Sequence, residues 1–263
     1  MQEETKYAPG TFCWVELGTT DGEAAKKFYT ELFGWDFTDS PIGPGMVYTM
    51  LKLAGKDVGA LYKMPPEMTS NGVPPHWMSY VSVDNVDESA AKAKEAGATL
   101  MKEPFDVFDV GRMAVIQDPT GAVFAIWQAG THKGAAAVNV PNAFCWNELA
   151  TPDTTKAGDF YTGLFGWGKN VQDMGTLTYT SFMNGDRPAG GMYKPTAEMG
   201  DIPPNWLVYF AVDDADAKLK KANELGAKTI VPPTDIPDTG RFAVVQDPQG
   251  AVFGIIKLEN PPA

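Results

Sequence analysis

The sequence has no long apolar run, little positive charge and only two cysteines, and each shortage removes a class of function. No stretch approaches the roughly 18 consecutive apolar residues that a membrane helix needs, so the chain is not expected to span a bilayer. The first residues, MQEETKYAPG, show no basic segment followed by an apolar one, which argues against a cleaved secretory signal and makes the cytoplasm the expected location. Lysine and arginine total 21 against 33 acidic residues, giving a net charge of −12, and the cations are scattered. Such a surface repels phosphate backbones and anionic lipid, so neither nucleic acid nor a membrane is an expected partner. Cys13 and Cys145 have no CxxC companions, and each lies on the opposite strand face from a neighbouring tryptophan; they read as small apolar residues.

What the sequence does hold is a folded chain written twice. A hydrophobic fraction of 44% and an aromatic fraction of 11% over 263 residues suffice for two domains with cores of their own. FCWVELGTTDGEAAKKFYTELFGW, from Phe12, returns as FCWNELATPDTTKAGDFYTGLFGW, from Phe144, and GRMAVIQDPTGAVF, from Gly111, returns as GRFAVVQDPQGAVF, from Gly240. Matching cysteine positions therefore reflect duplication, not a disulfide. The small, Pro-terminated segment near THKGAAAVNVP reads as a linker. The expected division is a first domain over residues 1–132, a linker over 133–141 and a second domain over 142–263.

Each half divides again. TFCWVEL has the look of a strand, and Asp21 is placed to cap the helix EAAKKFYTELFG, with Ala24, Phe28, Leu32 and Phe33 on one apolar face. Three β-like runs follow, WDFTDSPI, MVYTMLKLAG and DVGALYKM, closed by the loop PPEMTSNGVPP. HWMSYVSV, a helix after Asn85, ATLMKEPF, RMAVIQ and AVFAIWQ make a second βαβββ unit, and the other half repeats the order. The fold class is α+β, with four βαβββ modules in two tandem domains.

Paired βαβββ units, the FYxxLFGW helix end, the entries VDNVD and VDDAD, and the DPxG turn before the last strand together resemble the vicinal oxygen chelate superfamily. That is the group of glyoxalase I, bleomycin-resistance proteins and extradiol dioxygenases. The resemblance runs over about residues 10–258. Within it, the WxEL opening and the tandem arrangement look like the actinobacterial two-domain glyoxalase-like proteins. The resemblance implies that each pair of modules curls into an incomplete barrel around a cup, where metal-using members hold four ligands. It implies ligand positions at Trp14 and Trp146, at Met78 and Leu207, at Ala125 and Gly254, and at Gly59 or Ala60 and Gly190 or Gly191. None of these residues is a His, Glu or Gln. A divalent cation needs about three or more converging donors, so neither a metal nor another cofactor is expected.

Strand alternation supplies what stands there instead. Residues two apart face the same way, so Glu16 joins Trp14 and Glu148 joins Trp146. By the same rule His76 and Tyr80 flank Met78, Asn205 and Tyr209 flank Leu207, and Trp127 and Ile256 extend the last-strand rows. Ligand pockets are mostly apolar with a few fixed polar groups, which suits a small hydrophobic or aromatic molecule. The two tryptophans read equally as core or as ligand wall. An inward carboxylate needs a partner, and Arg112 and Arg241 of the repeated GRxAVxQDP phrase are the candidates; the alternative is contact with a ligand. His76 has the intrinsic pKa of a general acid or base but no visible orienting carboxylate, whereas His132 sits in the linker. Asp118 and Asp247 read as turn formers, and PPEM and TAEM as positional candidates for lids.

The leading expectation is a metal-independent small-molecule-binding protein that sequesters or presents a hydrophobic metabolite or natural product. The alternative is a lyase or hydroxylase-like enzyme of the same superfamily, with Glu16 or Glu148 as base and His76 assisting in one half. Because the tandem copies already supply four modules, a monomer or weak homo-oligomer is expected.

Overall fold

In the computed structural model, residues 6–175 and 177–259 are described. The first half contains β1 (Phe12–Thr19), α1 (Gly22–Phe33), β2 (Asp36–Gly43), β3 (Met46–Leu53), β4 (Lys56–Lys63), a short α2 (Pro66–Ser70), β5 (His76–Ser82), α3 (Val86–Glu95), β6 (Thr99–Val107), β7 (Gly111–Gln117) and β8 (Val123–Ala129). The second repeats it as β9 (Phe144–Ala150), α4 (Thr154–Phe165), β10 (Gly168–Asp173), β11 (Thr178–Asn184), β12 (Arg187–Tyr193), β13 (Asn205–Ala211), α5 (Ala215–Glu224), β14 (Lys228–Ile236), β15 (Gly240–Gln246) and β16 (Val252–Leu258). The loop before β5 was expected to be irregular throughout. It instead carries α2, whose start is favoured by a proline in its first turn, and a 3-10 turn at Ala197–Met199 takes its place in the second half.

Each half forms one eight-stranded sheet, ordered β2-β3-β4-β1-β5-β8-β7-β6 and β10-β11-β12-β9-β13-β16-β15-β14. The two modules of a half meet where their opening strands pair antiparallel, β1 with β5 and β9 with β13, and each opening strand pairs parallel with the last strand of its own module. Among the described residues no strand crosses to the other half. Each cup is therefore built from its own half of the chain.

The helices are set by local signals. Asp21 accepts from the Ala24 amide at 3.1 Å, Asp153 does the same for Lys156 at 2.9 Å, and Gly34 and Gly166 end α1 and α4 with φ of 71° and 72°. The buried residues of α1 are Ala25, Lys26, Phe28, Tyr29, Leu32 and Phe33; of the expected face only Ala24 is left partly exposed, and Tyr29 joins it by turning inward to a partner in the other half.

That partner reveals a core shared by the halves. The Tyr29 hydroxyl donates to Asp247 at 2.9 Å and accepts from the Trp77 indole at 3.0 Å; Tyr161 donates to Asp118 and accepts from Trp206, both at 2.8 Å. All of these residues are buried. Phe33 packs on Phe210 with ring centroids 5.1 Å apart, and Phe12 packs on Trp206 at the same distance. Lys218 donates to the Leu32 carbonyl near the end of α1, and Lys92 donates to Leu164 near the end of α4, so each half caps a helix of the other. Asp118 and Asp247 do set their turns, each holding the three amides that follow through one carboxylate oxygen. The second oxygen reaches across the interface, a role the turn motif alone does not display.

The segment read as a linker is fastened to the first half. Gly134 passes so close to the Cys13 carbonyl, with φ of 116°, that a β-carbon would collide, and the Ala135 and Ala136 amides donate to Cys13 and Asp57 at 2.8 and 2.7 Å.

Candidate functional site: two tyrosine-lined cups

The strand registers bring the expected residues onto one face of each sheet. Glu16 lies opposite Met78 on one side and Ala60 on the other, Trp14 lies opposite Tyr80, and Tyr80 lies opposite Ala125. In the second half Glu148 lies opposite Leu207 and Gly191, Trp146 opposite Tyr209, and Tyr209 opposite Gly254. Of the paired alternatives, Ala60 and Gly191 face the cups. Trp127 and Ile256 continue the same faces.

The carboxylates have partners, but not the expected ones. Arg112 is bonded to Asp87 and Asp106 at 2.8 and 2.9 Å, and Arg241 to Asp216 and Asp235 at 2.6 and 2.9 Å, on the outer side of each half. Glu16 instead accepts from the Tyr48 hydroxyl at 2.6 Å and the Tyr80 hydroxyl at 3.1 Å, and the Trp14 indole leans on Tyr48 at 3.4 Å. Glu148 accepts from Tyr179 at 2.9 Å and Tyr209 at 3.0 Å, with Trp146 donating to Tyr179 at 3.0 Å. Burial pushes both carboxyls above their ordinary range, and the phenol donors pull them only part of the way back. Burial and the adjacent carboxylate hold the four phenols well above theirs, so they stay protonated and donate. Tyr62 and Tyr193 stand on the same faces, Tyr193 being pushed up to about 12 for the same two reasons.

A pH dependence follows. The fold favours the neutral form of Glu16 and Glu148, so their contribution to stability is fully present below the unfolded glutamate value and is lost as pH rises through the raised folded value. The E16Q/E148Q double variant mimics the neutral form. Its thermal midpoint is expected to exceed that of the parent at pH 8 and to match it at about pH 4, near the ordinary glutamate value. A gain at low pH instead would show that the carboxylates are not destabilised by burial.

The histidines change places in importance. His76 is half-buried at the rim, its Nδ1 donating to the Pro74 carbonyl at 2.8 Å; burial holds its pKa below the usual value. Its counterpart Asn205 makes the matching contact to Pro203 at 2.7 Å, so the two share a rim-bonding role. His132, taken as part of the linker, packs edge-on against Trp14 with ring centroids 4.5 Å apart and also meets Trp127 at 5.9 Å. The Trp127 indole donates to the His132 carbonyl at 3.1 Å. Met68, on α2, touches the Tyr62 hydroxyl at 3.9 Å, which sets the PPEM segment beside the first cup. The thiols are poor nucleophiles: burial raises both, Cys145 to about 12.

Sequence reasoning missed Tyr48 and Tyr179, which come from the third strand of each half, and the signal was available. They fall at matching places in MVYTM and LTYTS, inside the duplicated segment.

A family model described as the glyoxalase/bleomycin resistance protein/dioxygenase superfamily matches residues 11–126 and again 143–255. The chain belongs to that superfamily. It is 44% identical over 259 residues to a Mycobacterium tuberculosis protein named "Putative glyoxylase CFP32", with 98% of each chain covered. It is 37% identical over 267 residues to the anthracycline biosynthesis protein DnrV of Streptomyces peucetius, covering 97% of this chain and 96% of that one. Among solved structures, the Mn(II)-bound glyoxalase of Novosphingobium aromaticivorans is similar with a TM-score of 0.66 at 18% identity, covering 96% of this chain and 83% of its own. The 2,3-dioxygenase LapB of Pseudomonas sp. KL28 has a TM-score of 0.66 at 12% identity, with 98% and 96% covered. These two establish the fold.

Some superfamily members carry a metal, so the donor set here matters. The ligand positions that the resemblance implies, Trp14, Ala60, Met78 and Ala125, with Trp146, Gly191, Leu207 and Gly254 in the second half, offer no imidazole or carboxylate. Each cup has one carboxylate, already engaged by two phenols. Among the described residues no group of three or more His, Cys, Asp and Glu side chains converges. These residues do not fit a divalent cation of the family type. No helix of the described residues is long and apolar enough to cross a membrane.

Proposed function

We propose that the chain binds a flat, largely apolar small molecule carrying a hydroxyl or N–H group, without a metal, and sequesters or presents it. The observation that carries this reading is the repeated Glu–Tyr–Tyr–Trp cluster, in which a half-buried carboxylate is held by two protonated phenols beside an indole. The carboxylate offers remaining acceptor capacity to a ligand hydroxyl, the phenols offer fixed donors, and the aromatic rings offer apolar area at low conformational cost. A relative named for anthracycline biosynthesis supports a fused-ring aromatic natural product as the ligand class. On this reading the chain works in the cytoplasm as a monomer or weak homo-oligomer, supported by the pairing of its own halves.

Titration with 2-naphthol, followed by tryptophan fluorescence and calorimetry, tests it. Binding is expected, and Glu148→Gln is expected to weaken it by about 1–2 kcal/mol, the scale of one charge-assisted hydrogen bond. Binding that survives replacement of both WxE tryptophans and both glutamates would remove these residues from the site.

The raised carboxyls favour a second reading, a lyase or hydroxylase-like enzyme in which Glu16 or Glu148 takes a proton from the bound molecule, with His76 assisting in the first cup. The same Glu→Gln change separates the two. A base would lose roughly 10²–10⁴-fold in turnover while binding is nearly unchanged.

A further inference from the structure

The two cups share their polar cluster and its burial, with both glutamates half-buried and Tyr80 and Tyr209 each 5% exposed, and differ at the tryptophan. Trp14 is 4% exposed, whereas Trp146, at the same place in the repeat, is only partly buried, as is Phe242 where the first half has the buried Met113. The difference has a visible cause. His132 lies edge-on over Trp14, and Trp127, beneath it, is bonded to its carbonyl. That segment is fixed on both sides, by the His132 amide to Val110 at 3.1 Å and by the Ala135 and Ala136 amides to Cys13 and Asp57.

The second cup differs at each of these points. Ile256 stands in place of Trp127, and no ring of the described residues packs on Trp146; the repeat sets Pro261 opposite His132, a residue without an aromatic ring and outside the described residues. The floor also differs. Gly191 and Gly254 stand where the first cup has Ala60 and Ala125, and the Tyr179 hydroxyl and the Tyr209 ring rest so closely on them that a β-carbon at either would collide. The tyrosines of the second cup thus lie against the sheet, and among the described residues Trp146 keeps more exposure than Trp14.

We propose that His132 is a built-in occupant of the aromatic end of the first cup, so that a flat ligand is received only by the second, against Trp146, Tyr179, Tyr209 and Glu148. This rests on the binding function proposed above and adds to it the stoichiometry, the seat and the residue that closes the other seat. The ligand class narrows accordingly to a ring system that can lie along an indole and present a hydroxyl to a carboxylate.

The full chain titrated with 2-naphthol by calorimetry is expected to bind one molecule. Trp146→Leu is expected to lower affinity at least tenfold, and by more than Trp14→Leu does. H132G, shown to be folded by circular dichroism, is expected to bind a second molecule. Two sites in the parent, loss of binding in Trp14→Leu with retention in Trp146→Leu, or a folded H132G that still binds one molecule would each overturn the assignment. Should H132G not fold, the two tryptophan variants decide between the cups. Absence of 2-naphthol binding in the parent and in H132G alike would overturn the binding function itself, an outcome distinct from binding at the wrong cup.

Discussion

Asp118→Ala is expected to destabilise the whole chain by about 3 kcal/mol or more, since it leaves several buried donors without an acceptor, at a typical cost of about 1–3 kcal/mol each. One oxygen of Asp118 receives the amides of Thr120, Gly121 and Ala122 and the Thr120 hydroxyl, and the other receives Tyr161 from the opposite half. Tyr161→Phe removes only the crossing bond and the acceptor for the Trp206 indole, so a loss of about 1–2 kcal/mol is expected. Urea denaturation measures both. If the two variants cost the same, the turn contributes nothing beyond the crossing bond; if Tyr161→Phe is silent, the halves are not coupled through this residue. The pseudo-equivalent pair, Asp247→Ala and Tyr29→Phe, should repeat the order.

A chain cut to residues 1–132 is expected not to give a stable monomer, although it contains every strand of its sheet. Tyr29, Phe33, Trp35 and Trp77 would lose Phe210, Phe253 and Asp247, and the Trp35 indole would lose its acceptor at Asn142, 2.7 Å away. Each large aromatic returned to water forfeits about 1.5–3 kcal/mol of transfer free energy, against a net stability of only about 5–15 kcal/mol for a typical protein. Light scattering should show aggregates or a self-paired dimer. Co-expression with residues 133–263 should restore a one-to-one complex. A cooperative, monomeric 1–132 fragment at micromolar concentration would show that the shared core is dispensable.

The order of strands and helices was legible because it depends on local signals that occur twice: capping aspartates, αL glycines and period-2 alternation. The WxE rows were legible for the same reason. The partners of Glu16 and Glu148 were not. An arginine near a carboxylate is a sound guess from chemistry, yet register decides which side chains meet, and it brought β3 and β11 phenols to the carboxylates while setting Arg112 and Arg241 against nearby aspartates. His132 escaped because small and proline residues around it resemble a linker, and only the amide bonds to Cys13 and Asp57 reveal that the segment follows the sheet. Contacts between halves have no periodic trace in sequence at all.

The reciprocal Tyr–Asp–Trp bonds and the Glu–Tyr–Tyr–Trp clusters are held alike in the two copies, whereas residues around the clusters have drifted. Tyr29 and Tyr161, Asp118 and Asp247, and Trp77 and Trp206 are identical in the two copies, whereas the cup pairs His76 and Asn205, Met78 and Leu207, and Trp127 and Ile256 are not. A two-fold homodimer would have to change both cups at every substitution. Fusing two such subunits end to end keeps the seam that holds them together and releases one cup to vary without the other.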